Sequence, residues 1–208
     1  MERSASVMAS DGSGVFVPVL VGSRREGRRS IHVARFVHGA LTERAGVAGR
    51  LVDLAECDLP VMRRRASEAG GTVPGLGEFH ETVARADGLV IVTPEYKNGY
   101  PGVLKNALDY LDAGIFRRKP IGIVTVSSGG FGGLNCLAQL RLVCLAMGGV
   151  PIPAALPVSR VDDAFDEQGV MRDPRFTERL ASCLDEFLWY ARALTRQRRC
   201  DAPAEATG

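Results

Sequence analysis

The chain has 208 residues, enough for one domain with a sizeable core. A formal net charge of +2, with 46% hydrophobic and 24% charged residues, argues against a nucleic-acid partner, and no apolar run approaches the ~20 residues of a membrane span. Five scattered cysteines without a C-x-x-C pair, and an N-terminus that does not read as a secretory leader, predict reduced thiols in a cytoplasmic protein.

Residues 1–14 (MERSASVMASDGSG) are small, polar and Gly-rich and read as a disordered lead-in. Val15 to Val21 is an apolar run of strand length. Residues 30–45 carry Ile31, Ala34, Val37 and Leu41 at helical spacing. Leu51 to Leu54 reads as a short second strand, and 56–77 as a long irregular connection with Pro60, Gly70, Gly71, Pro74 and Gly75. A helix over 76–86 leads to a buried strand at 88–93, then a helix over 101–112. Ile121 to Val126 is the fourth strand and 134–147 a long helix. Residues 149–152 begin a fifth strand, and the segment after it, 155–172, reads as a loop. The last helix spans 174–196, with Pro174 in its first turn and an apolar face of Phe176, Leu180, Cys183, Leu184, Phe187 and Leu188. The tail, 199–208, reads as loose. Five strand–helix units without a repeat predict one domain over 15–198. It is α/β, a doubly wound five-stranded parallel sheet with helices on both faces.

Three loops would then lie outside the carboxyl ends of strands, where open α/β sheets bind ligands. Residues 93–102, TPEYKNGYPG, offer two aromatics, Tyr96 and Tyr100, and backbone N–H groups outside any ladder. That suits a flat, hydrogen-bonding, redox-active ring. Residues 22–30, GSRREGRRS, place glycines, hydroxyls and four arginines before a helix N-terminus, which favours a phosphate. Four arginines in six positions also suit a solvated loop. The spacing is neither G-x-G-x-x-G nor a P-loop. Residues 127–133, SSGGFGG, can bring backbone close to a ligand or serve as a flexible turn.

Other residues carry less. His32, His38 and His80 have no metal spacing, and Cys136 and Cys144 read as small buried side chains on one helix. Arg63, Arg64 and Arg65 suit a solvated run or a grip on a nicotinamide phosphate. Neither a catalytic triad nor a pair of carboxylates stands out, so no catalytic residue and no metal ligand is assigned.

PEYKNGYPGVLKNALDYL resembles the signature of the NADPH-dependent FMN reductase family, whose members reduce FMN, azo dyes, chromate and quinones on a flavodoxin-like fold. GSRREGRRS resembles its phosphate loop, and SSGGFGGLNCLAQLR its third segment, which leads into a helix with a Leu-Arg pair. The resemblance covers residues 15 to 155. It implies FMN as cofactor and NADPH or NADH as reductant. Ser23, Arg25, Arg28 and Ser30 would hold the phosphate. Pro94, Glu95, Tyr96 and Lys97 would face the isoalloxazine, the first three largely through backbone N–H groups, and Ser127, Gly129 and Gly130 would line its other side. Lys97 stands where the family usually has Asn, and Arg28 where it often has Ser. A Lys97 pointing inward would favour the reduced, anionic ring. The implied reaction passes hydride from the nicotinamide to the flavin and then electrons to a small-molecule acceptor, in ping-pong order. The implied assembly is a homodimer or homotetramer paired through the 101–112 helix with its flavin site near the interface, and Leu104, Leu108 and Leu111 would be buried against the sheet or the partner. An FMN-binding electron carrier or a non-catalytic flavin sensor would use the same pocket. Such carriers are usually strongly acidic, unlike this chain.

Overall fold

The computed structural model describes residues 14–65, 72–112, 114–166 and 168–201. Five strands form one parallel sheet in the order β2-β1-β3-β4-β5. They are β1 (Val15–Val21), β2 (Val47–Asp53), β3 (Leu89–Pro94), β4 (Pro120–Val126) and β5 (Val150–Val158). The helices are α1 (Ser30–Thr42), α2 (Leu76–Arg85), α3 (Gly102–Asp109), α4 (Leu134–Ala146), α5 (Val161–Ala164) and α6 (Pro174–Asp201).

Successive side chains of a strand point to opposite faces, so the apolar runs divide between two cores. Val90 and Val92 pack with Val33, Val37 and Leu41 of α1 and Leu184 and Phe187 of α6. Leu89 and Ile91 pack on the other face, with Phe79 of α2, Leu104 and Leu108 of α3 and Leu140 of α4. Strands buried on both faces read as continuous apolar runs, which is why β1, β3 and β4 stand out in the sequence. Leu104, Leu108 and Leu111 are all buried within this chain's own second core.

The boundaries differ from expectation where tertiary context overrides the local pattern. The second strand starts at Val47 rather than Leu51, because the polar stretch Ala48-Gly49-Arg50 pairs along β1 at the sheet edge. α1 stops at Thr42, ahead of a turn in which Gly46 adopts φ +72°. Within 155–172, β5 continues to Val158 and α5 follows, so this segment is not all loop. α6 runs on to Asp201, which makes Arg199 and Cys200 helical; 1–13 and 202–208 lie outside the described residues. All five cysteines are free. Among the described residues no helix is long and apolar enough to cross a membrane.

Lys119, just before β4, is buried and closes the end of α2. Its Nζ donates to the carbonyls of Val83 at 3.0 Å and Ala84 at 2.6 Å. Burial, reinforced by the charge of Arg198 and opposed by Asp87, lowers its pKa to about 8. Because the folded value lies below the unfolded one, the unfolded chain binds more protons between them. The Lys119 contribution to stability therefore rises with pH from about 8 and levels off near 10. In urea denaturation, wild type should gain on Lys119→Met by roughly 1–3 kcal/mol between pH 7 and 10. A difference that stays constant with pH would refute this shift.

Candidate functional site

β1 and β3 are neighbours in the sheet, yet α1 leaves β1 for one face and α3 leaves β3 for the other. The chain directions diverge there, and the crevice between the two loops opens at the carboxyl edge. The loop after β1 turns close against its neighbours. The Gly22 N–H donates to the Val92 carbonyl at 2.8 Å, and a Cβ on Gly22 would lie 3.0 Å from Leu104 and from Thr93 Oγ1. The two loops are joined by one side-chain hydrogen bond, between the hydroxyls of Ser23 and Tyr96 at 2.8 Å. Ser23 is fully buried, and its Oγ also accepts the Arg25 N–H at 3.3 Å.

A cleft of about 330 Å³ lies over this junction. Arg25, Arg28, Ser30, Pro94, Glu95, Tyr96 and Ser127 line it, together with Gly27, Arg29, Ser128, Val161 and Asp162. α1 points its N-terminus at the cleft with no side-chain cap and no acidic residue in its first turn, so its N–H groups and dipole favour an anion. Arg28 reaches sideways to Asp53 at the end of β2, with Nη2 to Oδ2 at 2.5 Å, and Asp53 also accepts the Ala55 N–H at 2.9 Å. That pair holds the guanidinium at the cleft wall. Two buried polar atoms there, Arg28 Nε and Ser30 Oγ, have no hydrogen-bond partner among the described residues. Buried polar groups are normally paired. Two unpaired donors beside an uncapped helix N-terminus fit a phosphate ester.

The loop after β3 is a tight hairpin. Tyr96 and Gly99 exchange both backbone hydrogen bonds, at 2.8 and 3.0 Å, and the two residues between them are left-handed: Lys97 at φ +50° and Asn98 at φ +66°. Two positive φ values in succession are the type I′ geometry. The expectation of backbone N–H donors at 94–96 needs correction. Pro94 has no N–H, that of Glu95 goes to the Val126 carbonyl at 3.0 Å, and that of Tyr96 closes the hairpin. The Lys97 and Asn98 N–H groups bond no acceptor among the described residues. The Glu95 side chain is also engaged. Its Oε2 accepts the Cys136 N–H at 2.9 Å, capping α4 from a distant part of the chain. Burial, with Glu95 beside it, pushes the Cys136 thiol up to about 12, so it stays neutral. Lys97 is exposed on the hairpin and does not line the cleft, which contradicts an inward-pointing ammonium.

The loop after β4 forms the third wall. The carbonyls of Ser127 and Gly129 accept the N–H groups of Val161 and Arg160, at 3.2 and 3.0 Å, tying the loop to the connection after β5. Left-handed glycines occur here at Gly132 (φ +64°) and Gly133 (φ +82°), not at Gly129 or Gly130. A Cβ on Gly132 would come within 2.7 Å of Pro157, so this turn admits no side chain. Gly130 faces a neighbouring cleft with Arg160, Asp163, Arg175 and Arg179 instead.

Thus seven of the eleven candidate residues share one cleft, Ser23 braces it from beneath, and Lys97, Gly129 and Gly130 do not line it. Sequence reasoning missed Asp53, the partner of Arg28, and the pair Arg29–Asp162, which closes one side at 2.9 Å. Asp53 ends β2 opposite Val21, so its place beside the first loop follows from strand register, which the sequence does not display. Among the described residues no group of three His, Cys, Asp or Glu side chains could hold a metal ion.

Two substitutions test the hairpin. Tyr96→Phe removes the bridge to Ser23 and should cost about 1 kcal/mol. Lys97→Asn replaces a residue strained at positive φ by one that tolerates it, and should stabilise by roughly 0.5–1 kcal/mol. Urea midpoints compared with wild type check both. A neutral Tyr96→Phe would mean that the bridge does not hold the loops together.

Residues 16–163 match the NADPH-dependent FMN reductase family. The FMN-dependent NADPH-azoreductase of Staphylococcus haemolyticus (strain JCSC1435) is 29% identical over 180 residues, covering 79% of this chain and 92% of the relative. That of Staphylococcus aureus (strain USA300) is 29% identical over 182 residues, covering 82% and 92%. Among solved structures, FerB, a flavoenzyme NAD(P)H:(acceptor) oxidoreductase from Paracoccus denitrificans, superposes with a TM-score of 0.70 at 21% identity, covering 86% of this chain and 98% of its own. An oxidoreductase from Corynebacterium diphtheriae does so with a TM-score of 0.66 at 22% identity, covering 86% and 97%. These two likenesses establish the flavodoxin-like fold. Matched to it over most of its length, the chain belongs to the NADPH-dependent FMN reductase family.

Proposed function

We propose that this protein holds FMN in the cleft between the loops after β1, β3 and β4, and passes reducing equivalents from a nicotinamide to a small-molecule acceptor. Membership of its family makes it an oxidoreductase with FMN as cofactor and NADPH as reductant. The observation that carries the site assignment is the pair of unpaired buried atoms, Arg28 Nε and Ser30 Oγ, at the uncapped end of α1. Arg25, Arg28 and Ser30 hold the phosphate, and Ser23 braces their loop from beneath through Tyr96. Pro94 and Tyr96 wall the ring, the N–H groups of Lys97 and Asn98 stand on the hairpin beside it, and Ser127 edges the far side. Glu95 acts by fixing α4. Bound FMN supplies the hydride chemistry, and the protein supplies position and electrostatics. One cleft with one open side supports alternating occupation by reductant and acceptor, a ping-pong order. Relatives named azoreductases support azo compounds as acceptors, beside quinones, free flavin and metal oxyanions. Five free thiols support a reducing, cytoplasmic setting.

Anaerobic addition of NADPH to the FMN-loaded protein should bleach its visible flavin band, and a quinone or azo dye should restore it. Bound flavin inert to both NADPH and NADH would indicate a carrier or a sensor. Failure to take up FMN would refute the cleft assignment.

The reading includes a homodimer formed through α4. Leu134, Ala138, Leu142 and Leu145 make an exposed apolar stripe on a helix whose other side, Cys136, Leu140 and Cys144, is already buried. A helix apolar all round calls for cover on both sides. α3 offers no such stripe, since its leucines are spent within the chain. Sedimentation should give a dimer for wild type and a monomer for Leu142→Glu. A monomeric wild type would overturn this assembly.

A further inference from the structure

A second and larger cleft, of about 810 Å³, lies on the opposite side of the first loop from the FMN cleft. Consecutive residues divide the two: Arg25 lines the first and Arg24 the second. Its apolar floor comes from Leu59, Val61, Met62 and Val103. Val61 is 82% exposed, an unusual position for an aliphatic side chain in a loop of arginines. Arg63 and Arg64 stand around it and, like Arg24, form no ion pair with a carboxylate among the described residues. Lys105 on the rim is neutralised by Asp109 at 2.5 Å, so the unbalanced charge belongs to the arginines.

The loop bearing these groups is fastened in place. The Asn106 side chain accepts the Met62 N–H at 2.8 Å and donates to the Pro60 carbonyl at 2.9 Å, clamping residues 60–62 onto α3. A loop held by both ends of one amide presents Val61 in a fixed relation to α3, with Arg63 and Arg64 directly after it.

We infer that this cleft binds the adenosine end of the dinucleotide reductant, with Arg24, Arg63 and Arg64 around its 2′-phosphate and the adenine over the apolar floor. Guanidinium forks match phosphate oxygens in pairs and stack on flat heteroaromatic rings, and an apolar floor beside them suits the base. Arg24 and Arg25 are neighbours in one loop and line the two clefts, so a dinucleotide with its nicotinamide over the first would extend across that loop into the second. The cleft would make the enzyme choose NADPH over NADH. This inference rests on the nicotinamide-dependent reading above.

The test uses the FMN-loaded protein and the double variant Arg63→Ala/Arg64→Ala. Calorimetry with adenosine 2′,5′-bisphosphate should show wild-type binding weakened at least ~10-fold in the variant, with adenosine 5′-monophosphate unaffected. KM for NADPH should rise roughly 10–100-fold, while kcat/KM for NADH stays within about twofold. Equal losses with NADPH and NADH, or bisphosphate binding that survives the substitutions, would overturn the assignment. So would an effect confined to a sulfonated azo acceptor, which would give the cleft to the acceptor instead. If no nicotinamide reduces the flavin, the catalytic reading fails, whereas bisphosphate binding to the wild-type chain still decides the cleft.

Discussion

The site exists because two adjacent parallel strands send their helices to opposite faces of the sheet. β1 feeds α1 and β3 feeds α3, and the loops between must part. Their separation leaves polar backbone unpaired in a place where the sheet itself is fully bonded. The hydroxyl bridge between Ser23 and Tyr96 keeps the parting from becoming a gap. Gly22 lets the first loop pass against Leu104 and Thr93, and the Tyr96–Gly99 hairpin turns the second back on itself.

Much of the polar chemistry around the crevice serves architecture. The Glu95 carboxylate caps α4, Asp53 fixes Arg28, and Arg141 donates to the carbonyls of Ile152 and Pro153, at 3.2 and 2.6 Å, where β5 breaks register with β4. Among the described residues the atoms left over at the cleft are the end of α1, Arg28 Nε, Ser30 Oγ and the hairpin amides, while Arg141 Nε and His38 Nε2 are left over away from it. Such unpaired groups mark a ligand better than a roll of polar residues does, because a buried donor left without a partner costs on the order of 1–3 kcal/mol. A flavin phosphate and ring edge would answer that deficit.

The apolar ledger of α4 and the cationic cleft beside α3 make a similar contrast. The α4 stripe of Leu134, Leu142 and Leu145 stays exposed among the described residues, whereas the leucines of α3 are consumed by the core. Helical spacing makes both helices look alike as strings, since periodicity marks an apolar face without saying what lies against it. The same holds for Arg24 and Arg63: their distance along the chain hides that they line one cleft, beside residues 60–62 that Asn106 clamps onto α3.

What could be read from residues alone follows from local physics. Runs such as Leu89 to Val92, apolar on both faces, announce buried parallel strands. Glycines, hydroxyls and arginines before Ser30 announce an anion site, and the PEYKNGYPG loop with its flanks announces the family and its cofactor. Those signals are carried by neighbours in sequence, so one strand–loop–helix unit suffices to hold them. The identity of each partner needed the folded chain. That the Glu95 N–H is spent on Val126, that Arg28 is paired with Asp53, and that Lys97 faces solvent on a left-handed hairpin all depend on strand register and on turns between distant segments. Hydrogen-bond donors are exhausted by whichever acceptor the fold brings near, and that acceptor is not encoded within a few residues of the donor.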